Sequence, residues 1–578
     1  MNGMKGNGAC PPQDAVPADA TSPLPRNRDA RAPQIRGGHV FLACLFLALV
    51  TILPYAQTWR FEFVFLDDVF FLRDGRWFFE DWSNMPKVFI QDVWEFVGER
   101  SSLYRPLLLL PRFLEVAVFG TSPGPYHIPN TLLHWAAVSV LFMLLRRLVD
   151  DLRIALAVTV LFALHPAHVP AIAWIEGYNN TMTAFFVLAA VLLALVTTQS
   201  GRVLCGLLSG TAFLAALFTK ESAVSTPLLA FGIVWLARRG RAGVLPRRAL
   251  TITAVTWVCA LAIWFVLRSH AVAETPEFDA PYVLESIRRG WPGLLLYWGK
   301  VFLPFNLTPL PILANSTLLF GVVAVVIYAV AIIWSRGDRR QALLLGAGWF
   351  IVLISPSLLV SRLETPSGAI FREDRLYQAS IGVFIAMAFL LRGAARPQRT
   401  MALAALGVCA AIGLGLGQAR MADYASGRSY WTAAVRGSPD LALAHQLLAV
   451  MYRNAGDTRA EKAELLRALD LNPQLEDLHN DLAIIFLREG SLARADRYLE
   501  AELARFPNSV KAHFNRALLQ LHEEDFDGAH RSLETCLQLT EEHSHPEFRR
   551  SVRALLARVE REKSAAQLLP ARTEGAST

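Results

Sequence analysis

Residues 39–57 read HVFLACLFLALVTILPYAQ. A helix that crosses a bilayer takes ~20 mostly apolar residues, and this block has that length. It is too long for the apolar region of a secretory signal, and no small-residue cleavage site follows it, so it predicts a retained membrane helix. Further apolar blocks fall near 126–146, 153–172, 181–198, 203–219, 222–237, 249–268, 317–334, 341–360, 376–392 and 400–418. With the first they predict an all-α, polytopic membrane helix bundle of about 11 spans, because a spanning chain must satisfy its backbone hydrogen bonds internally. The composition agrees. Of 578 residues, 53% are hydrophobic and 18% charged, against about 25% charged in ordinary soluble domains. A mean hydropathy of +0.34 excludes a single soluble domain and a wholly disordered chain.

The formal net charge is +7, and its distribution matters more than its size. Up to residue 419 there are 35 basic and 25 acidic residues; after it there are 21 and 24. The surplus therefore belongs to the apolar part, which removes nucleic acid as a partner. Basic residues gather in alternate loops: Arg146, Arg147 and Arg153; Arg202; Arg238, Arg239, Arg241, Arg247 and Arg248; Arg336, Arg339 and Arg340; Arg392, Arg396 and Arg399. The positive-inside rule makes that face cytoplasmic. An Arg- and Ala-rich composition suggests a GC-rich bacterial genome, hence a bacterial inner membrane. The N-terminal tail, 1–38, is Pro/Ala/Asp-rich and expected to be a disordered cytoplasmic segment. The membrane domain is 39–419, with a large first extracytoplasmic loop at 58–125. An odd helix count places everything after 420 in the periplasm. The stretch LLLYWGKVFLPF (294–305) is short, and is expected to lie at the interface with Trp298 and Lys300 near the headgroups. The loop 361–375 is long enough to be functional. Cys10, Cys44, Cys205, Cys259, Cys409 and Cys536 form no CxxC pair, so neither a structural disulfide nor a cysteine metal site is expected.

After residue 420 the sequence repeats every 34 residues. Pro439, Pro473 and Pro507 keep that interval, as do Ala449, Ala483 and Ala517, and Leu465, Leu499 and Leu533; Gly456 and Gly490 mark the turns. Small residues where paired helices approach, with proline after the second helix, are the tetratricopeptide pattern. Residues 420–545 are thus expected to form an α-solenoid, and 546–578 a polar capping helix and a disordered tail.

Candidate chemistry collects outside the membrane. In FEFVFLDDVFFLRD (61–74), Asp67 and Asp68 are adjacent carboxylates in an aromatic setting. Burial and mutual repulsion raise such a pair, which suits a general base; the same residues also fit a solvated turn in which Asp68 caps the next helix. SSLYRP and PYHIPNTLLH add Tyr104, Arg105, His127, Asn130 and His134. HPAHVPAIAWIEGYNN adds His165, His168, Trp174, Glu176, Asn179 and Asn180; TKES adds Lys220 and Glu221; REDRLY adds Arg372, Glu373, Asp374, Arg375 and Tyr377. Arg and Lys at such a surface suit a phosphate. The spacing of His165 and His168 fits a helix end better than a metal site, which lacks a third ligand, and Lys220–Glu221 also fits a simple charge pair.

The ordered pieces FLDDVFFL, YRPL, YHIPNTLLH, LFALHPAHVPAIAWIEG, TKESAVSTPLL and EDRLYQASIG resemble membrane glycosyltransferases of the GT-C superfamily. More narrowly they resemble the branch with C-terminal tetratricopeptide repeats related to protein O-mannosyltransferases. The resemblance covers about 61–382, and the repeats extend it. It implies transfer of a sugar, a hexose such as mannose, from a polyprenyl-phosphate donor to an acceptor hydroxyl, with inversion and without a metal or other cofactor. It implies a lipid-linked sugar donor and a protein or peptide acceptor that the repeats could hold. By the same carry-over Asp67, or else Asp68, is the base, and Arg105, Lys220, Arg372 and Arg375 steady the donor phosphate. Tyr104, His127, His165, His168, Glu221 and Tyr377 are further site candidates. Two positions depart from the family pattern: Pro170 stands where a Glu is usual, and Asn180 where an Asp is usual. The competing reading is a membrane-anchored repeat protein that binds or assembles partners without catalysis.

Overall fold

The computed structural model describes residues 37–239, 246–272, 280–359, 369–540 and 546–568. The expected tail before 37, Arg241, the acidic residues Glu274, Glu277 and Asp279, positions 361–368 and the chain beyond 568 lie outside the described residues. Among the described residues the secondary structure is helical, apart from one isolated antiparallel bridge between Ile312 and Ile370.

The apolar blocks all become helices: α1 (Gly37–Tyr55), α2 (Pro106–Phe119, within the first loop), α3 (His127–Val149), α4 (Leu152–Ala163), α5 (Tyr178–Ser200), α6 (Val203–Thr219), α7 (Thr226–Arg238), α8 (Arg247–Ala271), α9 (Ala280–Phe302), α10 (Leu319–Trp334), α11 (Gly337–Leu359), α12 (Leu376–Arg392) and α13 (Arg396–Met421). By length and composition seven of these segments can cross a membrane, and an eighth can if α4 and the short helix after it count as one span. That pair bends by 52° at residues 164–165, just before Pro166, which cannot donate a helical hydrogen bond. Helices α6 and α10 are apolar but shorter, and α7 begins only after a 3-10 turn over Glu221–Ser225.

Burial ranks the helices. The spans containing α5 and α12 are 72% and 78% buried, whereas those containing α8 and α13 are 17% buried. Phe265, Val258, Met401 and Val408 are exposed; apolar surface of that extent is stable against lipid rather than water. The bundle is thus centred on α5 and α12. At one end the basic loops converge: Arg147 bonds Gln199 at 2.8 Å, Arg238 bonds the Thr198 carbonyl at 2.9 Å, and Arg399 meets Asp151 at 3.3 Å. The expectation that these loops share a face holds in their contacts.

One expectation is corrected. Residues 294–305 are not a separate short piece: 294–302 end the 23-residue helix α9 and 303–305 lead out of it. Trp298 and Lys300 are buried within the protein. Lys300 and Arg420 both pair with Glu373, which also accepts from Thr308 N at 3.1 Å. A buried cation is tolerated only when paired in this way.

The C-terminal part begins with a lone helix, α14 (Gly427–Gly437). Three hairpins follow: α15/α16 (Ala442–Asn454, Thr458–Leu471), α17/α18 (Leu478–Arg488, Leu492–Arg505) and α19/α20 (Val510–His522, Phe526–Leu539); α21 (Pro546–Leu568) ends the stack. Every repeated small residue is buried: Ala449, Ala483 and Ala517 sit where the helices cross, and Leu465, Leu499 and Leu533 sit between them. Gly456 and Gly490 take left-handed φ of +76° and +71° at the turns, and Glu524 takes +61° at the third. The turn geometry therefore persists where the glycine does not. Val552 and Val559 of α21 close the last apolar cluster.

Candidate active site

The loop 58–125 builds a small aromatic core that presents the acidic pair. Phe78 stacks near Phe96 at 5.0 Å and Phe79 meets Phe113 at 5.3 Å between ring centroids. Phe63 packs against this core, and Phe65 takes a left-handed φ of +66°, a conformation that costs ~1–2 kcal/mol for a side chain of this kind. Asp68 holds it: its carboxylate accepts from Val64 N at 2.6 Å and from Leu66 N at 2.8 Å, one donor on either side of Phe65. Asp68 is fully buried. Burial pushes its carboxyl up to about 6, with the two backbone donors pulling the other way. The cap it forms is on the loop before it, not on the helix after it.

Asp67 itself is half-buried. Burial holds its carboxyl above the ordinary range, Arg372 and Arg105 lower it, and Asp374 raises it. These four groups come from three segments far apart in sequence, with Arg372 and Asp374 on one of them, and a chain of polar contacts explains how they are held. Glu221 accepts from Tyr104 N at 3.0 Å and from Arg105 NH2 at 2.8 Å. Next to it, Lys220 Nζ donates to Asn180 Oδ1 at 2.6 Å, and Asn180 Nδ2 donates to Asp374 Oδ2 at 3.0 Å. Arg372 Nε donates to Asp374 Oδ1 at 3.2 Å, and its guanidinium lies over the Trp174 ring at 4.5 Å. Burial opposes the Arg372 charge, but Asp374 and Asp67 more than restore it. Lys220 has less support: burial, then Arg105, bring its ammonium down to about 7.

Asn180 and Asp374 lie at the starts of α5 and α12, the two most buried helices. A helix N-terminus carries partial positive charge and favours anions. Asp67 therefore lies in one polar cluster with two guanidinium groups, one ammonium, the carboxylates of Asp374 and Glu221, and two helix starts.

The other sequence candidates fall elsewhere. Arg375 donates to the Ser357 carbonyl at 3.3 Å, one turn beyond Arg372. His134 Nδ1 meets Tyr377 OH at 2.7 Å, His168 Nε2 meets Ser380 Oγ at 2.9 Å, and His165 Nε2 meets the Val301 carbonyl at 3.0 Å. These residues stack together, with the His168 and Tyr377 rings 5.0 Å apart, and form a packed cluster separate from Asp67. His127 packs edge-on against Phe61 at 5.8 Å. Tyr104 uses its hydroxyl on the Phe89 carbonyl at 2.9 Å, leaving its backbone N–H to Glu221.

Sequence reasoning missed two features. Asn180 reads as a lost carboxylate, yet an amide is what can accept from Lys220 and donate to Asp374 at once. Arg112 went unnoticed inside an apolar helix. It is buried, pairs with Glu115 at 2.6 Å and Glu176 at 2.7 Å, and lies 4.3 Å from the Tyr178 ring. A lone Arg in PLLLLPRFLEVAVF was the available signal.

No family model matches the chain. It is 28% identical over 195 residues to Protein O-mannosyl-transferase F38B6.6 of Caenorhabditis elegans, across 33% of this chain and 26% of that protein. It is 35% identical over 113 residues to Protein O-mannosyl-transferase TMTC3 of Mus musculus, across 19% and 12%. Over 129 residues it is 32% identical to Protein O-mannosyl-transferase Tmtc1 of Drosophila melanogaster, across 22% and 15%. The chain thus spans about a quarter or less of the length of these relatives. The resemblance read from the motif order is borne out by their names.

Proposed function

We propose that the protein is an integral-membrane glycosyltransferase that moves a hexose, mannose by the relatives' names, from a polyprenyl-phosphate donor to a hydroxyl on a protein, at the extracytoplasmic face of a bacterial inner membrane. The observation that carries this reading is the polar cluster in which Arg372 and Arg105 offset the burial of the Asp67 carboxylate beside the Lys220–Asn180–Asp374 relay.

In this reading Asp67 accepts the proton of the acceptor hydroxyl. The hydroxyl oxygen attacks the anomeric carbon from the side opposite the phosphate, the bond from that carbon to the phosphate oxygen breaks, and the configuration inverts. The lipid phosphate leaves with the electron pair. Arg105, Arg372 and Lys220 stabilise the charge that grows on it, as preorganised donors do in a site shielded from water, and Arg375 stands behind them. Glu221 fixes the fork of Arg105, Asp374 fixes that of Arg372, and Asp68 fixes the loop. No metal or other cofactor enters this reaction. The C-terminal solenoid is read as a tetratricopeptide-repeat domain on the same side. Against a purely anchoring membrane part stands the solenoid's attachment: Ser438 Oγ donates to the Leu310 carbonyl at 2.7 Å, and Asn315 bonds Asp440 at 2.8 Å.

A comparison of extracytoplasmic glycoproteins tests this. Cells lacking the gene should lose hexose from Ser or Thr of one or more proteins, and a copy carrying Asp67→Asn should not restore it. Restoration by that copy equal to wild type would sink the proposal.

A further inference from the structure

The lone helix that opens the solenoid, α14, is held against both segments that carry the site. Its start is a reciprocal cap: Ser426 Oγ accepts from Ser429 N at 3.2 Å, and Ser429 Oγ accepts from Ser426 N at 2.9 Å. That start is pressed onto the loop before the acidic pair. Glu62 N donates to the Ala425 carbonyl at 2.9 Å, and a Cβ on Gly427 would stand 3.5 Å from Phe65 Cβ and 3.6 Å from the Phe63 carbonyl oxygen. On the other side, Arg420 in the last turn of α13 pairs with Glu373, the residue between Arg372 and Asp374. Tyr424 follows Arg420 by one turn, and its ring lies 5.5 Å from that of Tyr430. Tyr430, one turn into α14, is thereby brought between the segment of Asp67 and the segment of Arg372.

Tyr430 is 3% exposed. Its ring is used for packing, against Tyr424 and against Trp431 at 5.1 Å. Its hydroxyl has no hydrogen-bond partner among the described residues, although Arg372, Asp374 and Asp67 all act on it. Burial holds that hydroxyl well above the ordinary phenol range; Tyr424, Asp374 and Asp67 push the same way and Arg372 opposes them. The phenol therefore keeps its proton and remains a neutral donor. A buried donor is rarely left without an acceptor. Arg372 cannot accept, and Asp374 is already engaged by Arg372 and Asn180. An acceptor that arrives with a ligand fits this gap. The Arg372 side chain keeps 28% of its surface exposed, so a ligand can reach it. A guanidinium and a phenol side by side, both donors, are completed by an oxyanion.

We infer that the Tyr430 hydroxyl is a further hydrogen-bond donor to the phosphate of the lipid-linked sugar, so that the solenoid supplies part of the membrane domain's own site. The inference rests on the reading of Arg105, Lys220 and Arg372 as the donor-phosphate group, and it adds a residue from outside the membrane domain and a role for the repeats at the reacting end. A tyrosine kept only for packing would be replaceable by phenylalanine, because its protein contacts are ring contacts. A tyrosine that holds the phosphate would not.

The test measures equilibrium binding to the full chain in lipid nanodiscs. The probes are a short-chain polyprenyl phosphate and the polyprenol of the same length, which lacks the phosphate. Tyr430→Phe removes the hydroxyl and keeps the ring. It should weaken binding of the phosphate by about tenfold to a hundredfold, the effect of losing one hydrogen bond to a charged group. Binding of the alcohol and the Tm should stay as in the wild type. In turnover, KM for the sugar donor should rise by a similar factor and KM for the acceptor should not change. Trp431→Phe is the packing control. It trims a fully buried ring next to Tyr430, so it should lower the Tm and leave phosphate binding intact. Wild-type affinity of Tyr430→Phe for the phosphate, an equal loss for the alcohol, or an equal loss in Trp431→Phe would overturn the inference. Failure of the underlying reading looks different: the wild type itself would bind the phosphate no better than the alcohol, and the inference would fall with it.

Discussion

Asp67 and Asp68 are neighbours, and the structure gives them different work, which a pair of single substitutions separates. Asp68→Asn keeps the shape of the side chain but not its acceptors. Asp68 takes Val64 N on one oxygen and Leu66 N on the other. An amide has one oxygen, so one of these donors would face an NH2 group. The loss is one charge-assisted hydrogen bond, about 2 kcal/mol, and a buried N–H without a partner, about 1 kcal/mol more. Nothing then offsets the left-handed Phe65. Roughly 3 kcal/mol corresponds to about a hundredfold in a local opening equilibrium. The assay is amide hydrogen exchange of the peptide covering 61–69, measured by mass spectrometry at a pH above the value of about 6 to which burial pushes the Asp68 carboxyl. Asp68→Asn should speed exchange of Val64 and Leu66 about a hundredfold and also weaken transfer, because the loop aims Asp67. Asp67→Asn should abolish transfer and leave exchange as in the wild type. Unchanged exchange in Asp68→Asn, or equal acceleration in both variants, would refute the division of labour.

Three other outcomes follow from the same contacts. Lys220 is pulled down to about 7 by burial and Arg105, so its charge, and kcat/KM with it, should fall as pH rises through that value; Lys220→Arg, which stays charged, should remove this basic limb, and a limb left in place would assign it elsewhere. Glu373→Gln would leave Lys300 buried without its ion-pair partner and Arg420 with Asp423 as its remaining acidic neighbour, at about 3–5 kcal/mol, read as a lower Tm of the detergent-solubilised protein. Gly437→Ala would bring a Cβ within 2.0 Å of Thr308 Oγ1 and 2.5 Å of Thr308 Cβ. It should cost about 1–3 kcal/mol and make the start of the solenoid sensitive to protease, with Thr308→Gly in the same chain restoring resistance.

Much of this was legible in the amino acids. The apolar blocks became helices because a chain in hydrocarbon has few alternatives, and the 34-residue period survived even at Glu524, where the backbone kept the turn without glycine. Asp67, Arg105, Lys220, Glu221 and Arg372 were identifiable because charged residues beside long apolar runs are costly and conspicuous. What stayed hidden depends on pairing across the fold. The oxygens of Asp68 are used up by backbone groups whose position depends on one positive φ. Asn180 reads as a deficit until Lys220 and Asp374 are placed on either side of it. Lys300 looked like a headgroup anchor because its partner, Glu373, is 73 residues away. His165, His168 and Tyr377 have the chemistry of a site and the surroundings of a core.

The central claim is that Asp67 activates an acceptor hydroxyl against a lipid-phosphate sugar. The direct measurement is the initial rate of mannose transfer from polyprenyl-phosphate mannose to a Ser/Thr peptide by the purified, reconstituted protein, with the anomer of the product determined by NMR. Transfer with inversion by the wild type, and its loss in an Asp67→Asn protein of unchanged Tm, is the expected result. An Asp67→Asn protein that transfers at the wild-type rate, or a product with retained configuration, would contradict it.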